Sequence, residues 1–214
     1  MKKFTCLMVI MALCSGFTFC TFAQNFNDIS GHWANGDITY LTERGIIKGV
    51  TEEEFIPDNN ITRAEFAALT LRALKIDDSL YTYNYLYDDV EPGDWFADTL
   101  QACHTIGITD FHLWDDGSFH PDEFITREEM ASFVVNAYNL ITEYKIVGGD
   151  ISNFEDKDDV SSWALMYVGA AYQLDIIKGV TSDLIRPDHN ATRAQAAAVV
   201  RRMIAISSLS VDWR

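Results

Sequence analysis

One five-residue motif occurs three times in this chain and constrains most of what it can fold into. Ile61-Thr62-Arg63-Ala64-Glu65 returns as Ile125-Thr126-Arg127-Glu128-Glu129 and as Ala191-Thr192-Arg193-Ala194-Gln195. A proline stands six residues before each arginine (Pro57, Pro121, Pro187), with an aspartate directly after it (Asp58, Asp122, Asp188). Further upstream lies a tryptophan (Trp33, Trp95, Trp163), at 30, 32 and 30 residues from the arginine. The chain is therefore a triple repeat with a period of about 65 residues. That period excludes a tetratricopeptide array, whose unit is about 34 residues.

Threonine followed three residues later by Glu or Gln, ahead of a helically spaced apolar run, is a capping box. Thr62, Thr126 and Thr192 are predicted N-caps, with Glu65, Glu129 and Gln195 at the third helical position. Arg63, Arg127 and Arg193 then fall at the first helical position, where a cation opposes the helix dipole by roughly 0.3–1 kcal/mol. Two readings account for them. Each arginine pairs with an acidic neighbour, or each stands beside free helix N–H groups as a socket for a carboxylate or phosphate.

The N-terminus has the pattern of a secretory leader over residues 1–23. Lys2 and Lys3 precede an apolar run, and Thr21-Phe22-Ala23 offers small residues for cleavage before Gln24. An uncleaved anchor is the competing reading, because Phe4 to Ala23 is just long enough to span a bilayer. After cleavage only Cys103 of the four cysteines remains, which excludes an intrachain disulfide and a thiolate metal cluster. No transmembrane segment is expected after the leader. The formal net charge is −16, which argues against nucleic acid as a partner. An anionic ligand would have to be held by local geometry, since the overall field repels it and is screened within about 8–10 Å.

Each repeat reads as helix, loop, helix. The first runs over 26–77, with a helix predicted around His32 to Arg44, Trp33, Ile38 and Leu41 on one side, and Gly45 as its stop. Ile46-Ile47 reads as a short extended piece, and the second helix carries Phe66, Leu69, Ala73 and Leu74. The second repeat, 87–142, diverges in its loop, with Ile108-Thr109-Asp110-Phe111 where the first has Ile-Ile-Lys-Gly. The third, 153–207, restores Ile176-Ile177-Lys178-Gly179-Val180-Thr181, identical to Ile46 to Thr51, and a tail of 208–214 leaves no length for a further domain. A unit this small buries too little surface alone, so the three are expected to share one core.

The ordered set Phe26-x-Asp28, Trp33-Ala34, Gly45-Ile46-Ile47-x-Gly49, Phe55-x-Pro57 and Ile61 to Phe66 closely resembles the S-layer homology (SLH) domain, in triplicate. The resemblance implies a mainly α fold, three helix-loop-helix repeats packed as a pseudo-threefold spindle around a shared helical core. It implies inter-repeat grooves that bind cell-wall polysaccharide, often with pyruvylated sugars, and hold exported proteins on bacterial surfaces. By the same resemblance Arg63, Arg127 and Arg193 contact the ligand, and Gly49 and Gly179 let the backbone approach it. The second repeat lacks that glycine, and the third has Asp175 where the first has Gly45. Lys48 and Lys178 are weaker candidates as second cations, with solvated lysine as the alternative. Trp33, Trp95 and Trp163 are weaker candidates for stacking on sugar rings, with core packing as the alternative.

Catalytic chemistry has little support. No carboxylate pair or nucleophile with its base recurs, and His112 and His120 lack a metal-binding spacing. Calcium is the runner-up ligand on Asp115-Asp116-Gly117 and Asp156-Lys157-Asp158-Asp159, yet neither run fits the EF-hand pattern. The sequence reading is a secreted, cell-surface, non-enzymatic module without cofactor, bound to cell-wall polysaccharide. The alternative is an envelope assembly protein whose repeats bind peptidoglycan or a separate surface protein.

Overall fold

In the computed structural model, residues 26–109, 116–142 and 145–207 are described. The leader, the tail, Asp110 to Asp115 (with Phe111 and His112) and the pair 143–144 lie outside them. Among the described residues six α-helices form: α1 Asn35–Glu43, α2 Arg63–Ala73, α3 Ala97–Thr105, α4 Arg127–Ile141, α5 Leu165–Gln173 and α6 Arg193–Ile206. Among the described residues there is no strand, only three isolated bridges. The fold is mainly α.

The three capping boxes start α2, α4 and α6 where the sequence puts them. Glu65 N–H donates to Thr62 Oγ1 (3.2 Å) while Thr62 N–H donates to Glu65 Oε2 (3.0 Å), and the pairs Thr126–Glu129 and Thr192–Gln195 repeat this. The first helix of each repeat has no side-chain cap and starts later than the sequence suggests. His32 to Ala34 is turn, held by His32 N–H to Ile29 O, so α1 begins at Asn35. It stops at Gly45, whose φ of 67° is the left-handed value that ends helices. Asp175 takes the same conformation (φ 58°) in the third repeat, one of the few side chains that enter it readily. Ile46 and Ile47 are buried in a bend, not in an extended piece.

Three backbone hydrogen bonds join the repeats in a ring. Ile61 N–H donates to Ala191 O (3.1 Å), Ala191 N–H to Ile125 O (2.8 Å), and Ile125 N–H to Ile61 O (3.1 Å). Around this pseudo-threefold centre α2, α4 and α6 pack on one another, with Phe66 and Phe133 edge to face at 5.8 Å. The outer helices pack one repeat back: α3 on α2, α5 on α4, and α1 on α6. No repeat covers its own inner helix. This is why three copies fold as one body.

The aspartate of each Phe-x-Asp motif fixes the loop beneath. Asp28 accepts from Phe55 N–H (3.0 Å) and Ile56 N–H (2.6 Å), Asp89 from Phe119 and His120, and Asp156 from Ile185 and Arg186. Burial pushes the Asp28 and Asp156 carboxyls up, but those amides, with Arg193 and Arg127 nearby, outweigh it and hold both below the usual range. The second acceptor-bound residue has positive φ in all three loops: Ile56 (55°), His120 (55°) and Arg186 (52°). Isoleucine is an unusual occupant of that region, and the aspartate bond together with the following proline keeps it there.

Candidate functional site

The helix starts are not open sockets. The first two N–H groups of α2 donate to Glu123 O and Pro121 O, those of α4 to His189 O and Pro187 O, and those of α6 to Asn59 O and Pro57 O. The third is taken by the capping threonine. Each inner helix is thus capped by the loop of another repeat. The expectation of free N–H groups beside the arginines is corrected here, because ring closure consumes them.

The arginines themselves are buried, at 6–9% exposure, and reach into the neighbouring repeat. Arg127 donates from Nε to Ile185 O (2.8 Å) and from Nη2 to Lys178 O (2.9 Å). Arg193 does the same to Phe55 O (2.9 Å) and Lys48 O (2.9 Å), and lies 4.5 Å over the Phe55 ring. Neither has a carboxylate within ion-pair distance among the described residues. Burial pushes Arg127 down to about 10, against the pull of Asp156 and with Arg202 and Arg186 adding to the fall. It stays cationic at neutral pH. Burial also lowers Arg193, with Glu65 and Asp28 opposing.

Arg63 differs. Its Nη2 and Nε grip Glu129 (2.9 and 3.1 Å), and Nη1 meets Glu123 Oε2 (2.9 Å) and His120 O (3.1 Å). Burial alone would lower its pKa, but Glu129 and Glu123 outweigh it and raise it. Its charge is neutralised within the fold.

Two grooves open over the unpaired arginines. One, of about 370 Å³, lies against α6, with Arg127, Lys178, Gly179, Gln195 and Arg202 around it and Trp33 at its edge. The other, of about 230 Å³, lies against α2, with Arg193, Lys48, Gly49, Glu65 and Arg72 around it and Trp95 at its edge. Each groove draws on all three repeats: the inner helix and loop from one, the arginine from the preceding one and the tryptophan from the next. Trp33 and Trp95 are 60% and 61% exposed, so neither is core, contrary to the packing alternative that their apolar spacing favoured.

The pattern these grooves repeat has a known counterpart. A family model for the S-layer homology domain matches residues 25–67, 86–131 and 153–197. The chain belongs to the S-layer homology domain family. Over the same region it is 38% identical to an amylopullulanase of Thermoanaerobacterium thermosulfurigenes, covering 83% of this chain and 9% of that protein. It is 31% identical to a surface-layer 125 kDa protein of Lysinibacillus sphaericus, covering 85% and 15%. It is 38% identical to exoglucanase XynX of Acetivibrio thermocellus, covering 82% and 16%. The chain spans less than a fifth of the length of these relatives, and the enzyme names belong to much longer proteins.

The SLH glycines turn out to be required from within. A Cβ on Gly49 would meet Glu54 O at 2.7 Å and press on the Phe26 ring, and one on Gly179 would meet Phe154 Cε1 at 2.8 Å and Leu184 O at 3.0 Å. They still line the grooves, but internal packing alone accounts for the residue type. Lys178 Nζ is paired with Asp175 (3.1 Å), whereas Lys48 is exposed beside its groove. In the second SLH repeat, Glu129 occupies the place of Gln195 and Glu65, and Asn136 that of Arg202 and Arg72. Trp163 is partly buried against the core and lines neither groove. Among the described residues no group of three His, Cys, Asp or Glu is placed to hold a metal ion, and no helix is long and apolar enough to cross a membrane. In the acidic run, Asp156 accepts from the amides of Ile185 and Arg186, and Asp158 pairs with Lys157 (3.2 Å).

Proposed function

We propose that this chain is a non-catalytic cell-wall-binding module that attaches non-covalently to an anionic secondary wall polysaccharide, pyruvylated sugars being the best fit. The observation that carries this reading is the pair Arg127 and Arg193, each buried on the wall of a groove with an exposed tryptophan at its edge and with no carboxylate within ion-pair distance among the described residues. A buried cation is costly until paired, and a ligand carboxylate supplies the missing charge with charge-assisted hydrogen bonds. The tryptophan face suits the apolar side of a sugar ring, as in other contacts between aromatic surfaces and amphipathic ligands. Arg63 takes no ligand, because Glu129 and Glu123 already hold its cation. Residues 1–23 direct export, and the three repeats place the protein on a bacterial surface.

The test is retention of the chain lacking residues 1–23 on purified sacculi, before and after acid treatment that strips secondary polymer. Retention that vanishes on stripping supports the reading. Undiminished retention on stripped sacculi moves the ligand to peptidoglycan, and no retention on either sinks the anchor and leaves a separate protein partner.

A further inference from the structure

The groove on α6 does not end at Arg127. A second cavity, of about 300 Å³, adjoins it and shares Arg127, Val180 and Gln195 as a common wall. Its far side is Arg186, His189 and Asn190. Across the two cavities Arg202 lies on one side of Arg127 and Arg186 on the other, and no aspartate or glutamate lines either. Burial depresses Arg127 most, Asp156 opposes the fall, and both of those like charges add to it, so Arg127 feels a cation on each side. In a chain of net charge −16, three arginines lining one continuous trough are a local concentration of positive charge. The carboxylates beside the trough have partners of their own: Asp156 accepts from the amides of Ile185 and Arg186 while its charge acts on Arg127, Asp175 pairs with Lys178, and half-buried Asp37 feels Arg202 and Arg201.

The groove on α2 has no second arginine at the equivalent place beyond Arg193. Where the third repeat has Arg186 and His189, the first has Ile56 and Asn59, and the second has His120 and Glu123. The feature is specific to one repeat and is not needed for the shared fold, since the Asp–amide clamp holds Ile56 and His120 equally well.

Building on the anionic-polymer reading above, we propose that the α6 trough takes two neighbouring anionic groups of one polysaccharide, one on each side of Arg127. The groove on α2 takes a single one. The third repeat thereby reads the spacing of charge along the polymer, which a single-charge groove cannot do.

The indole N–H resonances of Trp33 and Trp95 report the two grooves separately in the labelled chain. The probes are a methyl glycoside carrying one 4,6-pyruvyl ketal and the corresponding disaccharide carrying two. At Trp33 the disaccharide binds at least roughly tenfold more tightly than the monosaccharide, while at Trp95 the two differ by no more than about twofold. Arg186→Gln abolishes the gain at Trp33 and leaves both affinities at Trp95 unchanged. Equal binding of the two probes at Trp33, or a gain that survives Arg186→Gln, overturns the two-anion trough and leaves single-charge capture standing. Silence of both indoles towards both probes overturns the capture of pyruvylated sugars and this inference with it.

Discussion

Arg63 and Glu129 form a buried, two-pronged ion pair, with Nη2 2.9 Å from Oε1 and Nε 3.1 Å from both carboxylate oxygens. Glu129 is also the capping-box residue of α4, its Oε2 accepting from Thr126 N–H at 2.9 Å. One carboxylate therefore starts a helix and neutralises a buried cation. Arg127 and Arg193 meet Gln195 and Glu65 at the equivalent place without such a grip, and they are left with main-chain carbonyls.

Removing one partner from that pair is expected to be expensive. Arg63→Ala leaves Glu129 buried without its cation and should cost about 3–5 kcal/mol. Glu129→Gln keeps the cap, as Gln195 does in α6, and leaves Glu123 on Arg63, so it should cost about 1–3 kcal/mol. Urea unfolding monitored by tryptophan fluorescence ranks the two. An Arg63→Ala variant as stable as the parent would contradict the structural role given to it.

Arg193 ties two carbonyls of the first-repeat loop with a planar fork, which an ammonium group cannot match. Arg193→Lys should lower stability by about 1–2 kcal/mol and loosen the Lys48–Gly49 turn. Faster amide hydrogen exchange at Val50, whose N–H donates to Glu54 O (2.9 Å), is the local readout.

Much of this was legible in the sequence and some was not, for identifiable reasons. The capping boxes, the stop at Gly45 and the shared core are local or compositional features, and the residues state them. That the N–H groups of Arg63 and Ala64 are consumed by Glu123 and Pro121 depends on contacts about sixty residues away in sequence, which no local pattern encodes. Trp33 has the apolar spacing of a core residue, and only the packing of α1 on α6, rather than on α2, puts it at a groove. The silencing of Arg63 did have a signal: Glu123, Glu128 and Glu129 crowd one repeat where the third has His189, Ala194 and Gln195. The extension beyond Arg127 has its only trace in Arg186, in Ile185-Arg186-Pro187 where the other two repeats have Phe-x-Pro.

The loop glycines should respond unequally to substitution. Gly49→Ala and Gly179→Ala drive a methyl group into a phenylalanine ring and turn carbonyls, and should cost about 1–3 kcal/mol or more. Gly45→Ala meets open space and is opposed only by its positive φ, so its cost should stay near 1 kcal/mol. Differential scanning calorimetry of the three variants separates packing from backbone strain.

Stability should fall in acid through the loop clamps. Asp28 and Asp156 have folded pKa values below the unfolded value of 3.8, so their contribution is present above that value and is lost as pH drops beneath it. The urea midpoint should decline below about pH 4, and the double variant Asp28→Asn/Asp156→Asn should flatten that decline while lowering the plateau at pH 7. An unchanged acid limb in the variant would contradict the clamp.

The central claim is that two grooves of three bind the wall, and the exposed tryptophans test it with the least risk to the fold. Retention on intact sacculi would be measured for Trp33→Ala, Trp95→Ala, Trp163→Ala and the double variant Trp33→Ala/Trp95→Ala. The account predicts partial loss for each of the first two, no loss for Trp163→Ala and loss of at least roughly a hundredfold for the double variant. Full retention by the double variant, or a loss in Trp163→Ala as large as in Trp33→Ala, would contradict it.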